Sequence, residues 1–271
     1  MRRAAHQQLD VPVVFEDPLA IRVLGEREAT AIRANPGAYE GGRIARPLRA
    51  FLAVRSRVAE DALAAAVARG VQQYVVLGAG FDTFAYRSPF GARVRVFEVD
   101  QPATQGWKRK VLAEAGIAAP EWVRYVPVDF ARQNLRDELV RAGLAEGDGA
   151  FFSWLGVTMY LERDAIRATL TTVAEFSRTG GGIVFDYAVP PRSLGLLQRL
   201  AVAMMARRVK RAGEPWRSYI APAEMVEEMR GLGFGTVEDL GAAELNARYF
   251  ANRKDRLRVG NAARIINAAN V

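Results

Sequence analysis

The chain has no cysteine and a single histidine in 271 residues. Without thiols there is no disulfide framework, no thiolate metal ligand and no cysteine nucleophile. His6 alone cannot furnish a histidine metal site or a Ser-His-Asp relay, so no metal is expected. No run of eighteen apolar residues occurs. The opening Met1-Arg-Arg-Ala-Ala-His-Gln-Gln-Leu-Asp10 lacks the apolar stretch of a signal peptide. These gaps lead to the expectation of a soluble cytoplasmic protein with no membrane partner. Acids are in the minority, 30 Asp and Glu against 38 Lys and Arg, giving a net charge of +8. The excess is scattered, with one modest cluster at Arg207-Arg-Val-Lys-Arg211, and it is not interleaved with aromatics. That pattern argues against nucleic acid as a partner and for solubility or an acidic substrate.

What is present is a core-forming composition, 50% hydrophobic and 25% charged, without a long linker, repeat or low-complexity tract. It suits one elaborated α/β domain over residues 1–271. Apolar runs predict strands near 72–78, 94–99, 124–128, 150–155 and 181–186. They alternate with helices near 102–115, 134–142 and 163–177, which means a parallel sheet with right-handed crossovers. A longer helix over about 45–69 precedes the first strand, with Gly70 placed to end it. Short helices over 18–34 suggest an N-terminal cap, 1–45, ahead of a core at 46–187. Pro190-Pro191 stops the fifth strand, and 188–222 reads as a helical lid insertion. In it Leu194, Leu197, Leu200, Ala201, Met204 and Met205 form one apolar side expected to pack. The remainder, 223–271, supplies a helix and strands six and seven.

The most informative stretch is Tyr74-Val-Val-Leu-Gly-Ala-Gly-Phe-Asp-Thr-Phe-Ala-Tyr-Arg87, where an apolar strand breaks into two close glycines. Gly78 and Gly80 permit a tight turn and close approach of backbone to a nucleoside at the carboxyl end of a strand. Thr83 replaces the third glycine of the dinucleotide fingerprint, and Asp82 would repel a pyrophosphate. A nicotinamide oxidoreductase is therefore disfavoured. S-adenosylmethionine, which has no phosphate and a cationic sulfonium, suits an acidic loop better. About twenty residues on, Val94-Arg-Val-Phe-Glu-Val-Asp100 ends in carboxylates at the spacing that meets ribose hydroxyls. Asp100 is the first choice; Glu98 shares its face by strand alternation, so either could take the ribose while the other is solvated. Arg124-Tyr-Val-Pro-Val-Asp129-Phe130 offers a carboxylate for the adenine amine and an apolar surface for its ring.

In these blocks, together with Asp17-Pro-Leu-Ala20, Ala53-Val-Arg-Ser-Arg-Val-Ala-Glu-Asp61, Phe152-Ser-Trp-Leu-Gly-Val-Thr-Met-Tyr-Leu161, Phe185-Asp-Tyr187 and Gly213-Glu-Pro-Trp-Arg217, the chain resembles the class I S-adenosylmethionine-dependent methyltransferases. Within them it resembles the leucine carboxyl methyltransferase-like branch. The resemblance implies a Rossmann-like, mostly parallel seven-stranded sheet with helices on both faces and an antiparallel last strand. It implies that Arg55, with Arg57 second, reaches the cofactor's methionine carboxylate, for which a planar guanidinium is suited. It further assigns Gly78, Ala79, Gly80, Asp100, Gln101, Asp129 and Phe130 to the cofactor. Relatives often carry a glutamate near the end of strand four; this sequence has Trp154-Leu155, leaving a backbone carbonyl there for the cofactor's ammonium.

The implied reaction is in-line methyl transfer to oxygen of a small molecule or peptide. A carboxylate acceptor needs no general base, whereas a hydroxyl needs a proton acceptor within reach. Candidates for that role are Asp186, Glu214, Tyr160, Tyr187 and His6. Tyr160, Tyr187, Trp216, Arg217 and Tyr219 are expected on the acceptor side. The alternative is a protein of this fold that binds S-adenosylmethionine but catalyses a non-methylating reaction such as cyclisation.

Overall fold

The computed structural model describes residues 1–270 apart from 40, 41, 130, 131, 212 and 214, and only the backbone of 39, 42–44 and 208. Seven strands are present: β1 (Gln73–Leu77), β2 (Arg95–Asp100), β3 (Val123–Pro127), β4 (Phe151–Trp154), β5 (Gly182–Ala188), β6 (Thr236–Leu240) and β7 (Ala263–Ala269). The helices are α1 (Arg2–Leu9), α2 (Glu26–Ala34), α3 (Gly42–Ala68), α4 (Phe84–Arg87), α5 (Pro102–Glu114), α6 (Leu135–Arg141), α7 (Arg163–Phe176), α8 (Leu196–Arg211), α9 (Pro222–Gly231) and α10 (Ala242–Tyr249). The sheet runs β3-β2-β1-β4-β5-β7-β6. Strands β1 to β5 pair in parallel, while β7 is antiparallel to both β5 and β6. The expected strands are all found. Helices α1 and α10 were not anticipated, because each is short and neither has a long apolar repeat.

Alternation divides the core into two layers. Val75, Leu77, Phe97, Val99, Phe152, Trp154, Phe185 and Tyr187 pack on one face with α6, α7 and α9. Tyr74, Val76, Val96, Phe151 and Val184 pack on the other with Val54, Val58 and Leu63 of α3. Helix α3 ends where Gly70 adopts φ +105 and Val71 N–H returns to the Ala66 carbonyl. Strand order reverses between β1 and β4, and ligands of open α/β sheets bind beyond the carboxyl ends of strands at such a switch point.

Two expectations are corrected. Glu98 is not solvated: it is 1% exposed. Of the apolar side expected to pack, Leu194 is buried, but Leu197, Leu200 and Met204 of α8 are exposed while Val202 is buried. A helix with apolar residues on two sides can bury only the one its neighbours reach.

Candidate cofactor and acceptor site

The glycine loop is built by its backbone. Gly78 has φ +63, and a Cβ there would lie 2.5 Å from Val157 Cγ2, so the segment after β4 sits directly on the loop. Gly80, at φ +41, donates its N–H to Asp100 Oδ2 at 2.6 Å. Ala79 N–H donates to the Val99 carbonyl at 3.0 Å. Asp100 Oδ1 accepts from Gln101 N–H at 2.7 Å, at the start of α5. The carboxylate is thereby fixed at the loop with lone pairs remaining, since each oxygen accepts one of these bonds. Val128 N–H donates to the Asp100 carbonyl, which brings the end of β3 and Asp129 alongside. Phe130 lies outside the described residues.

Glu98, one pleat earlier on the same face, has different partners. Lys108 Nζ lies 2.8 Å from Oε1, and the Tyr86 hydroxyl donates to Oε2 at 3.1 Å. Burial raises its pKa, against the opposing pull of Lys108. Helix α5 therefore closes over Glu98 and leaves Asp100 as the carboxylate facing the loop.

On the β4 side, Gly156 stands just beyond that strand at φ +77, and a Cβ there would lie 2.8 Å from the Arg55 guanidinium. Arg55 donates to Asp186 Oδ2 at 2.9 Å, while Gly156 N–H donates to Oδ1 at 2.5 Å. Its Nε is buried and has no partner among the described residues. Helix α3, the β4 end and the β5 end thus meet at one guanidinium, which Asp186 orients.

The remaining candidates divide. Arg217 and Ser218 N–H groups donate to the Met159 carbonyl, so the segment following α8 rests on the turn Thr158–Tyr160 after β4. Tyr160 belongs to that turn, and the rings of Trp216 and Tyr219 meet edge to face at 6.1 Å. The Trp216 indole N–H is buried without a partner among the described residues, as is that of Trp154, which is fully buried in the core. Arg217 is exposed and pairs with Glu162 at 2.8 Å. Tyr187 is turned away: its hydroxyl donates to Asp239 Oδ1 at 3.0 Å, beside the Asp239–Arg264 ion pair. Burial and then Asp239 raise its pKa. His6 is also committed elsewhere, as its Nε2 receives Val14 and Phe15 N–H groups. That leaves Nδ1–H to donate to Asp10 Oδ2 at 2.6 Å. Glu214 lies outside the described residues. Arg57 pairs with Asp61 at 2.8 Å on the exposed side of α3.

Two groups not assigned a role from the sequence, Arg3 and Asp17, hold the N-terminal segment on the loop. Arg3 of α1 donates to the Phe81 carbonyl and lies 2.9 Å from Asp17. Asp17 in turn accepts from the Thr83 hydroxyl at 2.8 Å. The Asp17-Pro-Leu-Ala20 block was the available signal. Two surface hollows, of about 270 and 550 Å3, are lined by none of Gly78, Gly80, Asp100 or Arg55.

Known proteins agree with this architecture. The fold is that of class I S-adenosylmethionine-dependent methyltransferases. It is similar to the S-adenosylmethionine-dependent methyltransferase SibL in its apo form, at TM-score 0.52 and 16% identity over 82% of this chain and 57% of that one. It is also similar to a DUF574 family protein from Streptomyces avermitilis MA-4680, at TM-score 0.55 and 18% identity over 92% and 94%. In sequence, YktD of Bacillus subtilis (strain 168), provisionally named an S-adenosyl-L-methionine-dependent methyltransferase, is 30% identical over 94% of this chain and 90% of its own. Residues 1–174 match the leucine carboxyl methyltransferase family, and the chain belongs to it. It is an S-adenosylmethionine-dependent methyltransferase, and S-adenosylmethionine is its cofactor.

Proposed function

We propose that the methyl group is transferred to oxygen, and that the acceptor is a carboxylate of a small molecule or peptide. The supporting observation is that three of the described groups expected to serve as a base, Asp186, Tyr187 and His6, are already engaged elsewhere. Asp186 accepts from Arg55 and Gly156, Tyr187 donates to Asp239, and His6 holds Asp10. An ionised carboxylate needs no proton removed before it attacks, so such a site asks only for alignment and exclusion of water.

S-adenosylmethionine, when bound, supplies an activated methyl on its sulfonium. The chain's own groups fit it: Arg55, oriented by Asp186 and with Nε unsatisfied, suits the methionine carboxylate. Asp100, pinned by Gly80, suits the ribose hydroxyls, and Asp129 suits the adenine amine. A backbone carbonyl at Trp154 is left for the ammonium. Tyr160, Trp216 and Tyr219 then wall the acceptor, with the Trp216 N–H free to donate to its oxygen.

The test incubates the protein and S-adenosylmethionine with matched carboxylic acids, phenols and alcohols, and treats the products with mild hydroxide. A methyl ester releases methanol; a hydroxide-stable ether or methylamine as the product overturns the carboxylate reading.

A further inference from the structure

Helix α8 carries an outward face that no other described part of the chain covers. Leu196, Leu197, Leu200 and Met204 are 72%, 78%, 55% and 56% exposed, whereas Val202 on the opposite side is 7% exposed. At helical spacing Leu196, Leu200 and Met204 form one row and Leu197 flanks it. Between Asp186 and Glu214 the sequence has six cations, Arg192, Arg199, Arg207, Arg208, Lys210 and Arg211, and no acid. Of these, Arg192, Arg199, Arg207, Lys210 and Arg211 are exposed. Arg207 and Arg211 continue the leucine row toward the helix C-terminus, so the same face is apolar at one end and basic at the other.

We infer that α8 is an interfacial helix that seats the enzyme on an anionic lipid bilayer, with the leucines and Met204 in the acyl boundary and the cations against the headgroups. An apolar row beside Lys and Arg is the composition that lies in such an interface. Charge complementarity selects the occupant. A second copy would set this acid-free helix against an identical one, with no carboxylate in either segment to offset the repulsion. An anionic surface attracts every one of these cations. No helix among the described residues is long and apolar enough to cross a membrane, so attachment is along the surface. The earlier expectation of no membrane partner came from the absence of such a span, which does not bear on an interfacial helix. The inference is independent of which acceptor is methylated.

Co-sedimentation of the full chain with vesicles of phosphatidylglycerol and phosphatidylcholine, against phosphatidylcholine alone, tests it. Binding is expected only to the anionic vesicles and should weaken as salt screens the headgroups. Replacing Arg207 and Arg211 by Gln should weaken it about thirty-fold, from roughly five-fold per cation. Replacing Leu197 and Leu200 by Ser, which leaves the charge unchanged, should weaken it at least about ten-fold. Both double variants should keep the wild-type affinity for S-adenosylmethionine, which shows that they fold. Failure to bind anionic vesicles overturns the proposal. So does binding indifferent to the leucines, which is charge attraction alone. A light-scattering mass of two chains that falls to one in the leucine variant also overturns it, since a second copy then covers the face.

Discussion

At the scale of single residues the proposed site turns on two carboxylates one pleat apart. Alternation put Glu98 and Asp100 on one face, and that much was legible in the sequence. Which one stays open depends on how α5 is rotated, and hence on Lys108 reaching Glu98 at 2.8 Å, a contact made only when the helix docks. Their substitutions should separate accordingly. Asp100→Ala should weaken S-adenosylmethionine binding about ten-fold or more in calorimetry, with little change in the denaturation midpoint. Glu98→Ala strands a buried lysine and should cost about 3–5 kcal/mol of stability by urea unfolding. If Glu98→Ala weakens the cofactor and spares stability, the assignment is reversed. Arg55→Ala belongs with Asp100→Ala, at about ten-fold or more in affinity. Its place was legible only through family resemblance, because nothing in the spacing of α3 shows that residue 55 lies under Gly156.

The elements were easier to read than their orientations. Strand positions follow from apolar runs bounded by turns and acids, so all seven were expected. Helix α1 was not, because its stability is tertiary: Asp10 links His6 to Arg49, which reaches the carboxylate through Nε and an Nη, each at 2.8 Å. In α8 the helix was legible and its buried side was not, since apolar residues occur on both sides and the choice lies with the surroundings. The α1 network carries a pH signature. Burial would raise the Asp10 pKa, but the hydrogen bonds from Arg49 and His6 prevail and hold it at about 2, below its ordinary value of 3.8. A depressed carboxylate pKa stabilises the fold above the unfolded value and loses that contribution as pH falls through the folded one. The difference corresponds to about 2 kcal/mol. Urea midpoints for wild type and Asp10→Asn should differ near pH 5 and converge as pH approaches 2. A gap independent of pH would separate Asp10 from any such linkage.

For the whole molecule, the proposed site is assembled from segments far apart in the chain: Arg55 on α3, Gly78 and Gly80 after β1, Asp100 at the end of β2, Gly156 after β4 and Asp186 on β5. The cap adds Arg3, which bonds to the Phe81 carbonyl. A ligand held by all of them binds the folded chain and not the unfolded one, so its binding energy is added to global stability. At one hundred times its Kd the gain is about 2.7 kcal/mol. For a chain of this size that is a rise of roughly 5 to 10 °C in Tm. Calorimetric scans with S-adenosylmethionine should show it, and Arg55→Ala at the same ligand concentration should show a much smaller rise. Nicotinamide dinucleotides should give none, because Asp82 and the missing third glycine deny them a pyrophosphate site. Arg3→Ala tests the reach of the cap. With Arg3 helping to fix the loop, its loss should lower both the unliganded Tm and the shift. A lowered Tm with an undiminished shift would confine Arg3 to holding α1, and the loop would then be organised by the sheet alone.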